Sequence, residues 1–545
     1  MKHPEQYQQA EKQREESEET AAKKRKTGNQ KHMPIRLKTP GVQKYPTDST
    51  RRKNIDRAVV RMITVDMHPP SIVEDPGFQS LVHLLDPRYL LPSKKHIMKT
   101  LLPSVYSQRM EEVRQELAQV SYVAFSSELW TSATFERYLT ITCHFVTSSW
   151  ENKSLVLETV GFKKDPSTEN IAASFKRVAQ TWGISNKIVA VVTDDAANVV
   201  AAVRSAGWMH VPCFAHILST AVSEAIKADA SVQELRDKCG KIVSFFQHSV
   251  KATEKLHEIQ RQLGFAEQKL IQEVEKRWNS TYHMFQRIAE QYQAITTALC
   301  LSNGNEMCLS SSDVDMLKAV IAVLKPFEAT ITEMSAERCF SVSKVIPLAR
   351  SLEHLTAKLT KDMPLVLELK AQMRRRFENL EISHLLALST MLDPRLKKLA
   401  LSDSGAVQQG EQMILQEMSE LVPVHSDQIA QSSDTPATSG LWDFFDAQVA
   451  KSQSPKKGTA NAKLEAMKFF EELVLRRNED PLDWWRTSEL QYPLLSQLAK
   501  KYLSVPGTSV PAERLFSKDG ELVAFKRNRL KPKHVHMFLF LNKNL

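Results

Sequence analysis

Three runs decide the fold: Tyr122-Val-Ala-Phe-Ser-Ser, Arg137-Tyr-Leu-Thr-Ile-Thr-Cys-His-Phe-Val146 and Ser154-Leu-Val-Leu-Glu-Thr-Val-Gly161. The first is a short apolar run. The second and third alternate in steps of two, the period at which strand side chains change faces, and all three lie at hairpin spacing, so they predict an antiparallel meander. The pattern then changes to a helix over about Asn170–Trp182, an unbroken apolar run Ile188-Val-Ala-Val-Val-Thr193, a helix from Ala196 to about Ala206, a short strand at Met209–Pro212 and a helix from Ala215 to about Ile226. An unbroken apolar run suits a strand covered on both faces.

That order, β-β-β-α-β-α-β-α, is the order of a ribonuclease-H-like domain, and residues 121–229 are read as its first part. Residues 230–400 lose strand character and read as long helices, including Leu317–Phe327 and Ile346–Leu359, so they form a large all-helical insertion. Ser, Gln, Pro and Gly dominate residues 401–460, which read as a disordered linker. Helices resume at residues 461–545. Upstream, residues 54–120 carry helical spacing broken by Pro69-Pro70 and Asp86-Pro87, and residues 1–53 are polar and then basic, with too little apolar surface to repay ordering. Within that arm, Lys23-Lys24-Arg25-Lys26 has the composition of a nuclear import signal, beside the plainer reading of a solvated charge cluster.

The chain of 545 residues has a formal net charge of +10, which suits a polyanionic partner without requiring one. No window supplies the roughly 20 apolar residues of a membrane span, so a soluble, intracellular protein with no membrane partner is expected. Six cysteines with no Cys-x-x-Cys pair exclude the usual zinc-finger spacing and argue against a disulfide framework.

In a ribonuclease-H-like sheet the first and fourth strands are neighbours, so acids at their ends would meet. Here the first strand runs into Ser126-Ser127-Glu128-Leu129-Trp130-Thr131-Ser132 and the fourth ends at Thr193-Asp194-Asp195-Ala196. Each acid also has a bland role: Glu128 as a charged strand end, Asp194 or Asp195 as a helix N-cap, and Glu513 as a first-turn carboxylate.

Near the C-terminus, Tyr492-Pro-Leu-Leu, Thr508-Ser-Val-Pro-Ala-Glu513-Arg-Leu-Phe-Ser517, Lys526-Arg-Asn-Arg529-Leu and Phe538-Leu-Phe-Leu541 resemble the C-terminal dimerisation segment of the hAT transposase superfamily and of the nuclear zinc finger BED domain-containing proteins derived from it. The words around Glu128, Asp194 and Glu513 resemble that family's three catalytic carboxylates, which hold two divalent cations for phosphodiester chemistry. Magnesium or manganese is therefore implied, if the site works. The family has aspartate where this chain has Glu128. One added methylene displaces a carboxylate by roughly 1 Å, a shift that can cost on the order of a hundredfold in rate, so a relic triad, not a working enzyme, is the expectation.

Lys276-Arg277-Trp278 resembles the family's Arg-Trp element, which implies DNA contact by Arg277 and Trp278; a core role for Trp278 is the alternative. Cys213-Phe-Ala-His216 matches a family Cys-x-x-His but is only half a zinc set. Lys526, Arg527 and Arg529 are candidate phosphate contacts, or else a solvated face. The apolar stripe including Leu515, Phe516, Leu522, Phe538 and Leu541 is the candidate dimer surface, unless it closes over the chain's own sheet. The resemblance as a whole implies a nuclear protein that dimerises, associates with DNA, takes no small-molecule substrate and acts in transcriptional regulation. An active transposase and a scaffold that never touches DNA are the rival readings.

Overall fold

The computed structural model describes residues 42–132, 135–162, 166–274, 278–335, 342–359, 363–421, 455–509 and 532–545. The chain divides after Val105 into two compact units. In the first, helix Thr50–Val65 buries Val59, Val60 and Ile63 on one side. Tyr89 Oη donates to the buried Asp56 carboxylate at 2.5 Å, which removes the helix's own acid from its outer surface.

The second unit is mixed α/β around one five-stranded sheet. Its strands are β1 (Val123–Thr131), β2 (Arg137–Val146), β3 (Asn152–Phe162), β4 (Ile188–Thr193) and β5 (His210–Pro212), in the order β3-β2-β1-β4-β5. The pairs β1–β2 and β2–β3 are antiparallel, whereas β4 runs parallel to β1 and β5 parallel to β4. The meander and the buried fourth strand thus form where the periodicity puts them. Helix Ala197–Ala206, which carries the chain from β4 to β5, ends on Gly207 at φ 87°, a left-handed turn that glycine enters without a Cβ clash.

Alternation in β2 would ordinarily mean one wet face. Both faces are buried instead, and helix Pro493–Leu503 packs against the strand. The polar face is made tolerable by mutual hydrogen bonds: Trp130 Nε1 donates to Thr140 Oγ1 at 3.0 Å, Thr140 and Thr159 hydroxyls lie 3.2 Å apart, and His144 bridges Ser126 and Ser154 at 2.7 Å each. With His144 wholly buried, desolvation pushes its pKa down to about 3, so the ring is neutral, one nitrogen donating and the other accepting.

Beyond β5 the described residues are mainly helical, from Phe214–Ala228 through His384–Met391. Asp229 ties two of these helices: one carboxylate oxygen caps Ala230–His248 by accepting from Ser231 and Val232 N–H, and the other accepts from Leu365 N–H at 3.0 Å. Helix His384–Met391 is buried on every side, as its nearly uniform apolarity requires.

The linker expectation fails for residues 404–421. They form a helix that buries Ala406, Gly410, Ile414 and Met418 at four-residue steps. Composition misled here because Gly410 reads as a linker residue, whereas its missing side chain is what lets this helix approach Met391: a Cβ at position 410 would clash with the methionine sulfur. Residues 455–471 are likewise helical.

The C-terminal part is fastened to the sheet twice. Trp485, fully buried, donates from Nε1 to Leu392 O at 3.0 Å and stacks on Trp150 from the β2–β3 connection at 6.0 Å. Helix Pro532–Asn544 lies along β3, the strand at the sheet's edge, where Asn544 makes both hydrogen bonds that a neighbouring strand would make to Val156 (3.1 and 2.8 Å) and His536 Nδ1 accepts from Thr159 N–H at 3.2 Å.

Candidate functional site

Strands β1 and β4 pair in parallel with Ser126 opposite Val192. The pairing ends at Ser126 and Val192; Glu128 lies two residues further along β1, and Asp194 directly follows the last residue of β4. Neighbouring strands lie about 4.8 Å apart, a separation two carboxylates can bridge through shared hard cations. Both acids are half-buried, and Asp195 is exposed. The capping role is not taken by either aspartate: helix Ala197–Ala206 has Ala196 as its N-cap, with no side-chain cap.

The end of β4 is held by its own network. Thr193 Oγ1 donates to Asp194 O at 2.8 Å, which leaves the hydroxyl to accept from His210 Nε2 at 2.9 Å. Burial, and next the Arg204 charge, lower the His210 pKa, against opposition from Asp195 and Asp194.

A distant segment comes to this end of the sheet. Cys213 N–H donates to Thr193 O at 2.8 Å, Phe214 N–H to Gly507 O at 3.1 Å, and Ser509 N–H to Cys213 Sγ at 3.3 Å. The chain is therefore anchored four residues before Glu513 at the strand next to Asp194. Glu513 itself lies outside the described residues, as do Arg277, Lys526, Arg527, Arg529, Leu515, Phe516, Leu522 and Lys23–Lys26. Among the described residues no group of three His, Cys, Asp or Glu side chains could hold a metal. The two described acids supply hard oxygen donors of the type magnesium and manganese prefer.

Several expected roles change with burial. Trp278 opens helix Trp278–Glu290 at 3% exposure with its indole N–H enclosed, so its ring is packed in the core and is not presented to a base. Phe538 and Leu541, expected at a subunit contact, are 1% and 0% exposed and buried within this chain. Cys213 is a buried thiol while His216 on the next helix is exposed, so the two do not share a ligand. Sequence reasoning missed the part played by Cys213, His144 and Asn544. Only the alternation in β2 hinted that His144 shares a polar face with Thr140 and Thr142.

Residues 465–545 match the hAT family C-terminal dimerisation region, residues 126–206 the ZBED1 RNase-like domain, and residues 211–323 the ZBED1 RNase-like helical domain. The chain is a homologue of zinc finger BED domain-containing proteins and hAT transposases. Zinc finger BED domain-containing protein 4 of Homo sapiens is 30% identical over 519 residues, covering 90% of this chain and 44% of that protein. Zinc finger BED domain-containing protein 6 of Homo sapiens is 25% identical over 545 residues, covering 90% and 55%. The Arabidopsis thaliana protein DAYSLEEPER, also a zinc finger BED domain-containing protein, is 21% identical over 88% of this chain and 72% of its own length. The chain thus spans about half the length of the two human relatives. β1–β4 fall largely within the RNase-like match, and the helix that seals β3 falls within the dimerisation match. Among the described residues no helix is long and apolar enough to cross a membrane.

Proposed function

We propose that this hAT-derived chain is a nuclear, DNA-associated regulator that dimerises through residues 461–545 and carries a relic carboxylate site. The observation that carries the reading is that Glu128 and Asp194 each lie two residues beyond Ser126 and Val192, the last pair of the parallel β1–β4 ladder, with residues 507–509 anchored at the neighbouring strand. The strand order β3-β2-β1-β4-β5 supports a ribonuclease-H-like core over residues 121–229, interrupted by the helical insertion 230–400 and completed by the C-terminal region. The dimerisation match supports self-association, and a further relative, the putative transcriptional regulator tpeD of Talaromyces stipitatus, 22% identical over 93% of this chain, supports transcriptional control. The relic character rests on Glu128, whose longer side chain misplaces a metal-binding oxygen.

Light scattering of the purified chain tests dimerisation, and salt-dependent binding to duplex DNA tests association. For catalysis, the chain is incubated with terminal-repeat DNA and magnesium or manganese. No cleavage by the wild type, with cleavage on the order of a hundredfold above background by Glu128→Asp and none by Glu128→Asp/Asp194→Ala, is expected. Monomers at all concentrations, or salt-insensitive binding, would overturn the corresponding part.

The same anchoring of residues 507–509 beside the two acids favours one alternative, a working two-metal nuclease in which Glu128, Asp194 and Glu513 hold magnesium or manganese. Such metals would activate the attacking oxygen and stabilise the leaving one. Cleavage by the wild type that Asp194→Ala abolishes would establish it.

A further inference from the structure

Phe538 and Leu541 are enclosed within this chain, so self-association through the region that matches the dimerisation family calls for other side chains. Helix Pro455–Glu471 supplies them. It packs against helices Ser404–Leu421 and Pro493–Leu503 and buries Ala462, Ala466 and Phe469. Its opposite side carries Leu464, Met467, Lys468 and Glu471, which recur at three- and four-residue steps and are all exposed.

The apolar surface continues past the end of the helix. Leu473 is 94% exposed and Leu490 97%. Glu472 accepts from Tyr492 Oη at 2.6 Å and from Gln491 Nε2 at 3.2 Å, which ties the residue before Leu473 to the residue after Leu490, so both leucines stand at the C-terminal end of this helix. Four large apolar side chains held in water along one element and its end are a contiguous feature, unlike the single exposed leucines common on protein surfaces.

We propose that Leu464, Met467, Leu473 and Leu490, with Lys468 and Glu471 among them, form the face by which two copies of this chain meet about a two-fold axis. The inference rests on the self-association proposed above and adds which side chains make the contact. Charge selects a second copy as the occupant. A two-fold contact sets one patch against itself, so with the helices antiparallel and the axis passing between Lys468 and Glu471, Lys468 of each copy meets Glu471 of the other. Among the described residues neither side chain has an ion-pair partner within its own chain. At 1.5 Å of rise per residue, Met467 and Leu473 lie on opposite sides of that axis and each within about 5 Å of it, so Met467 of each copy comes under Leu473 of the other. Apolar contacts at the centre and reciprocal charge pairs beside them are the arrangement of a specific interface.

Sedimentation velocity of the full chain across a concentration series at about 150 mM salt reads the dimer Kd. Met467→Glu/Leu473→Glu is expected to raise it at least about thirtyfold, the effect of losing central apolar contacts. Lys468→Glu and Glu471→Lys each set like charges together twice and are each expected to raise it about tenfold. Lys468→Glu/Glu471→Lys, which exchanges the two charges, is expected to restore the wild-type value. Leu84→Glu, at an exposed leucine of the first unit, is expected to leave it unchanged. Because every substituted side chain is exposed, the thermal transitions are expected to stay where they are. A dimeric wild type whose Kd is unmoved by Met467→Glu/Leu473→Glu overturns this face and leaves dimerisation through residues 461–545 standing. A wild type that is monomeric at every concentration overturns both. A thermal transition several degrees lower in Met467→Glu/Leu473→Glu assigns the face to another segment of the same chain, and a charge exchange that does not restore the Kd means the two copies meet otherwise; either result overturns the inference.

Discussion

Cys213 Sγ lies 3.3 Å from Thr508 Oγ1, joining residues 295 positions apart at the end of β5. The thiol also accepts from Ser509 N–H, so one buried sulfur holds the segment that leads to Glu513. Cys213→Ala removes this acceptor and is expected to cost about 1–3 kcal/mol. Cys213→Ser, whose hydroxyl can still accept, should cost less. Urea unfolding with an unchanged m-value measures both, and equal midpoints for alanine and wild type would count against the anchor.

Stability should fall in acid, and His144 gives the sign. Its folded pKa is lowered by burial to about 3, below the value of 6.5 for an exposed imidazole. Between those values the unfolded chain binds a proton that the folded chain refuses, so the stabilisation is complete above about pH 6.5 and declines toward pH 3, by on the order of 1 kcal/mol per pH unit. Burial lowers His210 and His536 in the same direction. Chemical denaturation at about pH 7 and pH 5 should show a shallower loss for His144→Gln than for the wild type; identical slopes would refute the assignment.

Asn544 stands in for a missing strand by bonding both backbone groups of Val156 on edge strand β3. Asn544→Ala leaves a buried N–H and a buried carbonyl without these partners, at an expected cost of about 2–4 kcal/mol. Hydrogen exchange at Val156 should accelerate selectively, and retained protection there would contradict the edge-sealing role.

Two helical glycines should respond to alanine with opposite signs. Among the described residues no atom lies within 4 Å of where a Cβ would sit on Gly240, so Gly240→Ala is expected to raise stability by about 0.5–1 kcal/mol through helix propensity. Gly410 faces the Met391 sulfur, so Gly410→Ala should instead lose about 1–3 kcal/mol by overpacking. Thermal melts of the two variants, shifting in opposite directions, check the pair.

Much of the sheet was legible in the sequence, including the parallel pairing of the two strands that lead to Glu128 and Asp194. The strands at Tyr122, Arg137, Ser154 and Ile188 announce themselves because periodicity is a local property. Glu128 lies on β1 and Asp194 directly after β4, strands whose adjacency follows from the strand order. What stayed hidden was which faces are covered. Phe538 and Leu541 are apolar enough for a subunit contact or a core, and the chain's own packing buries them. Trp278 could have been a stacking platform and is enclosed.

Local pattern alone determined that this chain alternates, then helices, and where its acids fall relative to strand termini, since those depend on neighbours a few residues away. Tertiary structure decided that β2 hides a polar face, that Gly410 belongs to a packed helix and that Cys213 meets Thr508, because burial depends on which distant segment arrives to displace water.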